Sequence, residues 1–410
     1  MSEKRLPPQI RTDPSNEFAH NTVTTRLPRN IRNIISGNRG FPRSVAAALE
    51  DLASLIEGDG EIPALPLPAW DAERWEEERL SYRGASWHDV DWFFAETYAF
   101  RLILSCTRYF ENGIDPYAPM KHRELEAGSP FLPLLRFFGS GGAGHSMFDP
   151  GARGEFAVEA ALEEAIHLSM WANRADISFV AGGELDHSVG ARELLLADES
   201  SHAAQLLPAG ASPVHIVMDN AGAELTGDLV LAVTIVHATG APVVLHPKFY
   251  PTYVSDTTPE DIRLFLAAAA EHPDPVVRAF YAAARAAVDS GELTIAPDPY
   301  WCETRFLTDL PARLTEPFAE AAMVIVKGDF NYRRAMRDRI WPAGTPLADA
   351  MGLASGPLRI PRLAGTPWLF LRTMKSDCLA GVEAATVSDL DRSAPGWRTD
   401  GRRGVIQLVR

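Results

Sequence analysis

The sequence predicts an α/β fold in which a mainly parallel β-sheet is covered by helices on both faces, and three observations predict it. Short apolar or β-branched runs recur through the second half of the 410 residues. Amphipathic stretches of helical period lie between them, the alternation that a covered parallel sheet requires. The chain is 46% hydrophobic and 23% charged, a globular balance with enough apolar residues for a sizeable core.

Residues 1–30 are polar and punctuated by proline, which predicts an extended arm. Residues 31–172 read as a helical subdomain, with helical period in SVAAALEDLASLI (44–56) and WHDVDWFFAETYAFRLILSCTRYF (87–110) around a proline-marked linker, 62–69. The glycine-rich 139–155 reads as a surface loop, and a helix over roughly 155–172 follows. Residues 173–410 read as the α/β domain. Its strands are expected in ISFVAGG (177–183), PVHIVMDN (213–220), PVVLHPK (242–248), AAMVIVKGD (321–329) and PWLFLRT (367–373), with GVIQLVR (404–410) as a last edge strand. Helices are expected over 224–238 and 260–272.

Bulk properties narrow the partners. A formal net charge of −15 argues against a nucleic-acid partner, whose phosphates call for clustered lysine and arginine. Cys106, Cys302 and Cys378 are too widely spaced for a disulfide framework or a thiolate metal site, which suits a reducing cytoplasm. The opening MSEKRLPPQIRTDPSNEF has no apolar core, and the greasiest stretch, 229–245, is broken by His237, Gly240 and Pro242. A soluble cytoplasmic protein with no membrane span is expected. His215 and His237 fall in apolar runs and read as core residues, and no histidine spacing suits zinc.

Four strand ends carry chemistry. MDNAGAE (218–224) places Asp219 and Asn220 beyond a strand, with Glu224 opening a helix. VSDTTPED (254–261) places Asp256 ahead of a threonine cap, Pro259 in the first turn, and two acids suited to the helix dipole. KGDFNYRR (327–334) supplies Lys327, Asp329, Asn331 and Arg333, and LRTMKSD (371–377) supplies Arg372, Thr373 and Lys375. Asp219, Asn220 and Asp256 offer hard oxygens for Mg²⁺ or Mn²⁺. Arg333, Arg372 and Lys375 offer positive charge for a phosphate. Each motif alone is more often a turn, a cap or a surface patch. Four of them at strand ends, with matched charges, favour metal-assisted phosphoryl hydrolysis instead. Glu96, Tyr98 and Arg101 in FFAETYAFR form a further polar group on an apolar helix, either structural or supporting the site. GSGGAG (139–144) lacks the strand and the Lys-Ser/Thr of a phosphate loop.

These motifs, with WFFAETYAFR (92–101), NRADISF (173–179) and WRTDGRRGVIQ (397–407), resemble the metal-dependent damage-control phosphatases, formerly a domain of unknown function. The nearest branch is marked by an RTxK motif and includes proteins called acidic residue methyltransferase and sugar phosphate phosphatase. The resemblance runs from about residue 90 to the end. It implies a three-layer α/β/α sandwich with an N-terminal helical subdomain. It implies Asp219, Asn220 and Asp256 as metal ligands and catalytic groups, and Glu224 as an acid beside them. Substrate contacts are implied for Asp219, Asn220, Glu224, Asp329, Phe330, Asn331, Tyr332, Arg333, Arg372, Thr373 and Lys375. It implies Mn²⁺, Co²⁺ or Ni²⁺ as the cofactor and a small phosphorylated metabolite, such as fructose 1-phosphate, as the substrate. The alternative is carboxyl methyl transfer from S-adenosylmethionine, for which VAGG (180–183) is only a fragment of a nucleotide turn. A silent metabolite-binding protein is a third reading, which no residue recommends.

Overall fold

A computed structural model of the chain describes residues 6–66, 69–139, 141–147, 158–172, 192–207, 210, 212–353 and 360–410. Seven strands form one sheet: β1 Leu195–Asp198, β2 Val214–Val217, β3 Val243–His246, β4 Leu293–Ile295, β5 Met323–Lys327, β6 Trp368–Thr373 and β7 Gly404–Val409. Their spatial order is β1-β7-β6-β5-β2-β3-β4, and every pair is parallel except β6 with β7. Strand alternation sorts the side chains onto two faces. Val214, Ile216, Met323 and Ile325 meet the helices Val158–Trp171, Ala223–Thr239, Pro259–Ala270 and Pro275–Ser290. Val217, Val324, Val326 and Phe370 meet the helices Ala312–Ala319, Gly328–Ala335 and Leu347–Met351. The result is the expected α/β/α sandwich. A separate core around Leu49, Ile56, Trp75 and Tyr98 joins the helices Leu27–Gly37, Arg43–Glu57, Ala72–Arg79 and Trp92–Cys106. No helix among the described residues is long and apolar enough to cross a membrane.

Several expectations need correction. GVIQLVR is not an edge strand: β7 lies between β6 and β1, and its one polar inward group, Gln407, donates to Ala380 O at 2.9 Å. Residues 17–30 are helical, not an extended arm. Asn16 Oδ1 caps Glu17–Asn21 by accepting from Ala19 N at 2.9 Å, and a wider π-type turn, Thr22–Arg26, leads into Leu27–Gly37. That turn brings Pro28 into a first-turn position, where its missing N–H is harmless. His237 is exposed in the last helical turn rather than in the core. ISFVAGG, NRADISF and 148–155 lie outside the described residues.

The helix Ala223–Thr239 has no polar face, because it is wedged between the sheet and Val158–Trp171. Its buried hydroxyls are satisfied within the helix: Thr234 Oγ1 donates to Val230 O and Thr239 Oγ1 to Ile235 O, both at 2.7 Å. Gly227 permits the close approach, since a Cβ there would stand 2.9 Å from Ala172 Cβ and 3.0 Å from Ser169 Cα.

Between β2 and β3 two histidines pair in the core. His246 Nδ1 faces Ala296 O at 3.2 Å and must donate to it, which leaves Nε2 as an acceptor for His215 Nδ1 at 2.8 Å. His215 Nε2 is buried with no partner. A second proton on either ring would therefore meet a donor or nothing. Burial pushes His246 down to about 3 and His215 down to about 4, from an ordinary 6.5. The unfolded chain takes up these protons near its ordinary value and the folded chain resists them. This stabilisation is complete above the ordinary value and declines as pH falls toward 4. Thermal unfolding between about pH 7.5 and 5 is expected to show a steeper loss in wild type than in His215→Gln, whose amide donates to His246 without titrating.

Candidate metal and phosphate site

Strand register sets the site. Val217 of β2 is level with His246 of β3 and Val326 of β5. Two residues on come Asp219, Lys248 and Gly328: Gly328 lies against Asp219, and Thr257 bridges the backbones of Asp219 and Lys248. β2 and β5 also flank the point where the strand order reverses, the place where open α/β sheets form their ligand crevice. Gly328 has φ +80, and a Cβ there would lie 2.0 Å from Asp219 Oδ2. The Asp219 carboxylate thus rests against bare backbone.

Asp256 comes from the connection after β3. Thr257 N donates to Asp219 O at 2.7 Å, Ala221 N to Ser255 O at 2.7 Å, and Lys248 N to Thr257 O at 2.8 Å. Asn220 and Asp256 pair as an isolated antiparallel bridge. Just ahead, Tyr253 (φ 48) and Val254 (φ 67) are both left-handed, a conformation that costs a β-branched residue on the order of 1–3 kcal/mol. The expected cap is present: Thr258 and Asp261 form a reciprocal capping box with Pro259 in the first turn.

The amide of Asn220 joins the acids. Its Nδ2 donates to Asp219 Oδ2 at 2.8 Å and to Glu224 Oε2 at 2.9 Å, and Ser255 Oγ donates to its Oδ1 at 2.6 Å. Behind Glu224, the buried Lys327 Nζ lies 3.3 Å from Glu224 Oε1 and donates to Asp228 Oδ1 at 2.6 Å and Ser169 O at 2.7 Å. Asp256 Oδ2 is buried, and Lys248 Nζ, 3.3 Å away, is its ion-pair partner. Burial, then Asp256 and Glu224, push the Asp219 carboxyl well above its usual range. Burial likewise pushes Asp256 and Asp228 up to about 6 despite their lysines.

Among the described residues no three His, Cys, Asp or Glu side chains form a metal-holding group. The candidate set is instead two carboxylates and an amide, and it fits a divalent cation on charge. Four buried carboxylates (Asp219, Glu224, Asp228 and Asp256) face two buried ammonium groups, Lys248 and Lys327. With all four ionised, that leaves a shortfall of two positive charges, which bound protons or a divalent ion would meet. Asp256 Oδ2, buried with a single long ion pair to Lys248 among the described residues, points to the same need.

The other expected residues fall into a second group. Asp329 Oδ1 accepts from Arg372 Nε at 2.8 Å, from Lys375 N at 3.1 Å and from Ser376 Oγ at 3.1 Å. Burial raises the Asp329 carboxyl, but Arg372 and then Arg333 outweigh it and hold it below the usual range. Arg372 is fully buried; it also donates to Cys378 O and to Ser376 Oγ and lies 4.1 Å over the Tyr332 ring. Arg333 is held by Asp338 and by Glu96, at 2.8 Å each, and lies over Trp92 at 3.4 Å. Neither guanidinium is free to meet a phosphate in this structure. Tyr332 OH donates within the core to Ala380 O, Asn331 Nδ2 bridges Met218 O and Lys327 O, and Phe330 stacks on Phe93. Thr373 is half-buried, and Lys375 is exposed on the RTMK turn, near enough to act on the Asp219 charge.

The polar group on Trp92–Cys106 divides. Glu96 joins Arg333, Tyr98 OH donates to Pro63 O at 2.9 Å, and Arg101 pairs with Asp71. Lys248 and Asp228, the partner of Lys327, escaped sequence reasoning as site residues. Their signals were present: Lys248 follows a strand end just as Asp219 does, and Asp228 lies one helical turn beyond Glu224.

Residues 22–390 match the damage-control phosphatase ARMT1-like domain. The chain belongs to that family. It is accordingly an enzyme of the phosphatase class, of damage-control type. Damage-control phosphatase ARMT1 of Danio rerio is 24% identical over 456 residues, covering 99% of this chain and 98% of that protein. The Homo sapiens protein of the same name is 27% identical over 263 residues, covering 59% of this chain and 57% of its own length. A solved structure of a DUF89 family protein from Pyrococcus horikoshii is similar at a TM-score of 0.48 and 13% identity, covering 99% of this chain and 100% of its own.

The contact between residue 328 and Asp219 can be tested in this family member. Gly328→Ala is expected to displace the Asp219 carboxylate and lower phosphate release by about a hundredfold, the usual effect of misplacing a reacting group by an ångström. A phosphate-release assay beside a circular dichroism spectrum checks this. Unchanged turnover would show that the close approach has no role.

Proposed function

We propose that this chain is a metal-dependent phosphomonoester hydrolase of small phosphorylated metabolites, with sugar phosphates such as fructose 1-phosphate as the substrate class. The observation that carries this reading is the shortfall of two positive charges among buried carboxylates at the switch point of the sheet. Asp219, Asn220 and Asp256 would hold a divalent ion, Mn²⁺, Co²⁺ or Ni²⁺, which when bound lowers the pKa of water and offsets charge on phosphoryl oxygens.

The chain's own groups supply the rest. Lys375 is the exposed cation at the rim and attracts the phosphate dianion. Asp329 holds the turn that carries it, through Lys375 N, Ser376 Oγ and Arg372. Arg372 and Arg333 act through the carboxylates they fix: one shapes the RTMK turn, the other joins helix Gly328–Ala335 to Glu96. Asp219 and Glu224 share Asn220 Nδ2 as a hydrogen-bond donor, so Asn220 would meet the ion through its Oδ1, which accepts from Ser255 Oγ here.

Phosphate release from a sugar-phosphate panel, with and without Mn²⁺, tests the proposal. Wild type is expected to depend on the ion, and Asp219→Asn and Asp256→Asn each to lose at least about a hundredfold. Equal activity in Asp219→Asn would sink the ligand assignment, and tight S-adenosylmethionine binding in calorimetry without phosphate release would favour methyl transfer.

A further inference from the structure

Lys248 has so far appeared only as a partner of Asp256, yet it is among the most enclosed charged groups in the protein. Its side chain is completely buried, and its backbone is pinned between Thr257 and an isolated parallel bridge to Asp298. Nζ stands 3.3 Å from Asp256 Oδ2, 3.3 Å from Trp301 O and 3.4 Å from Asn331 Oδ1, and 4.7 Å over the Phe330 ring. Of these four neighbours Asp256 alone is charged. The ammonium charge therefore falls on a carboxylate that is also a candidate metal ligand.

Asp256 does not need Lys248 for its placement. The backbone bonds Thr257 N to Asp219 O and Ala221 N to Ser255 O, with the Asn220–Asp256 bridge, fix its connection from both sides. The consequential property of Lys248 is thus its charge and not its reach. With Lys248 the four buried carboxylates lack two positive charges; without it they would lack three. Attraction for a cation scales with the product of the charges, so the missing lysine would favour a trivalent ion over a divalent one.

We propose that Lys248 is the metal-specificity residue of this site: its fixed charge tempers the acidic cluster so that the cluster is matched to a divalent ion and holds it less tightly than the carboxylates alone would. The inference rests on the metal-dependent reading above.

The test is direct ion binding to the full chain, with no turnover involved. Mn²⁺ affinity is read by calorimetry and Tb³⁺ affinity by sensitised luminescence, in wild type, Lys248→Met, Lys248→Gln and Lys248→Arg. Lys248→Met keeps the apolar stem and removes the charge; Lys248→Gln also keeps a hydrogen-bond donor for Asp256 Oδ2, so it covers the case in which an unpaired Asp256 prevents folding of the methionine variant. Both neutral variants are expected to bind Mn²⁺ at least about tenfold more tightly and to raise the preference for Tb³⁺ over Mn²⁺ by a similar factor. Lys248→Arg, which keeps the charge, is expected to retain the wild-type preference. Weaker Mn²⁺ binding in the glutamine variant, or a Tb³⁺ preference unchanged from wild type, would overturn the inference while leaving the metal site standing. A wild-type chain that binds no Mn²⁺ would overturn the metal-dependent reading and this inference together.

Discussion

The site depends on one constraint, the level register of β2, β3 and β5. Because Val217, His246 and Val326 are neighbours, the chain leaves the three strands at one place, where Gly328 lies against Asp219 and Thr257 ties Asp219 to Lys248. A slip of one residue in any of these strands would exchange the faces of the whole strand and break the meeting. Asn331 guards the register from the other side. Its amide binds the carbonyls of Met218 and Lys327, the last groups of β2 and β5, while its Oδ1 turns toward Lys248.

Burial gives this arrangement its chemical character. Carboxylates at the protein surface would be screened and hydrated; here Asp219, Asp228 and Asp256 are withdrawn from water and repel one another. Lysines from two strand ends answer part of that charge, and the rest makes the crevice receptive to a cation. The arginines play a different part. Arg372 and Arg333 are buried fork-shaped donors that each satisfy a carboxylate and several carbonyls or a ring, so they define the shape of turns and helices around the crevice.

Much of this was legible before the structure. Asp219 and Asn220 stand out because they follow an apolar run that reads as a buried strand, Asp256 because it sits just ahead of a helix cap, and the Thr258 cap with Pro259 fixes where that helix starts. The limits of legibility are equally physical. β1 and β4 escaped notice because an edge strand of three or four residues leaves no long apolar run. Arginine beside a strand end reads as a phosphate ligand, and only tertiary packing reveals that Asp329 and Asp338 already hold both guanidinium groups. Lys248 stayed hidden because a lysine after a strand reads as solvated until its carboxylate partner is in place.

The position of β7 bears on how the chain reaches its folded form. β1 touches the sheet only through β7, and Glu199, just beyond β1, accepts from Leu408 N across 209 residues of chain. β1 can therefore be seated only once β7 is on the sheet. A sheet closed by so distant a pairing bears a large loop-closure entropy before its contacts form, which slows folding and keeps the edge of β6 open to wrong partners in the interval. The same insertion ties the strand that precedes the first site strand to the one that follows the RTMK turn.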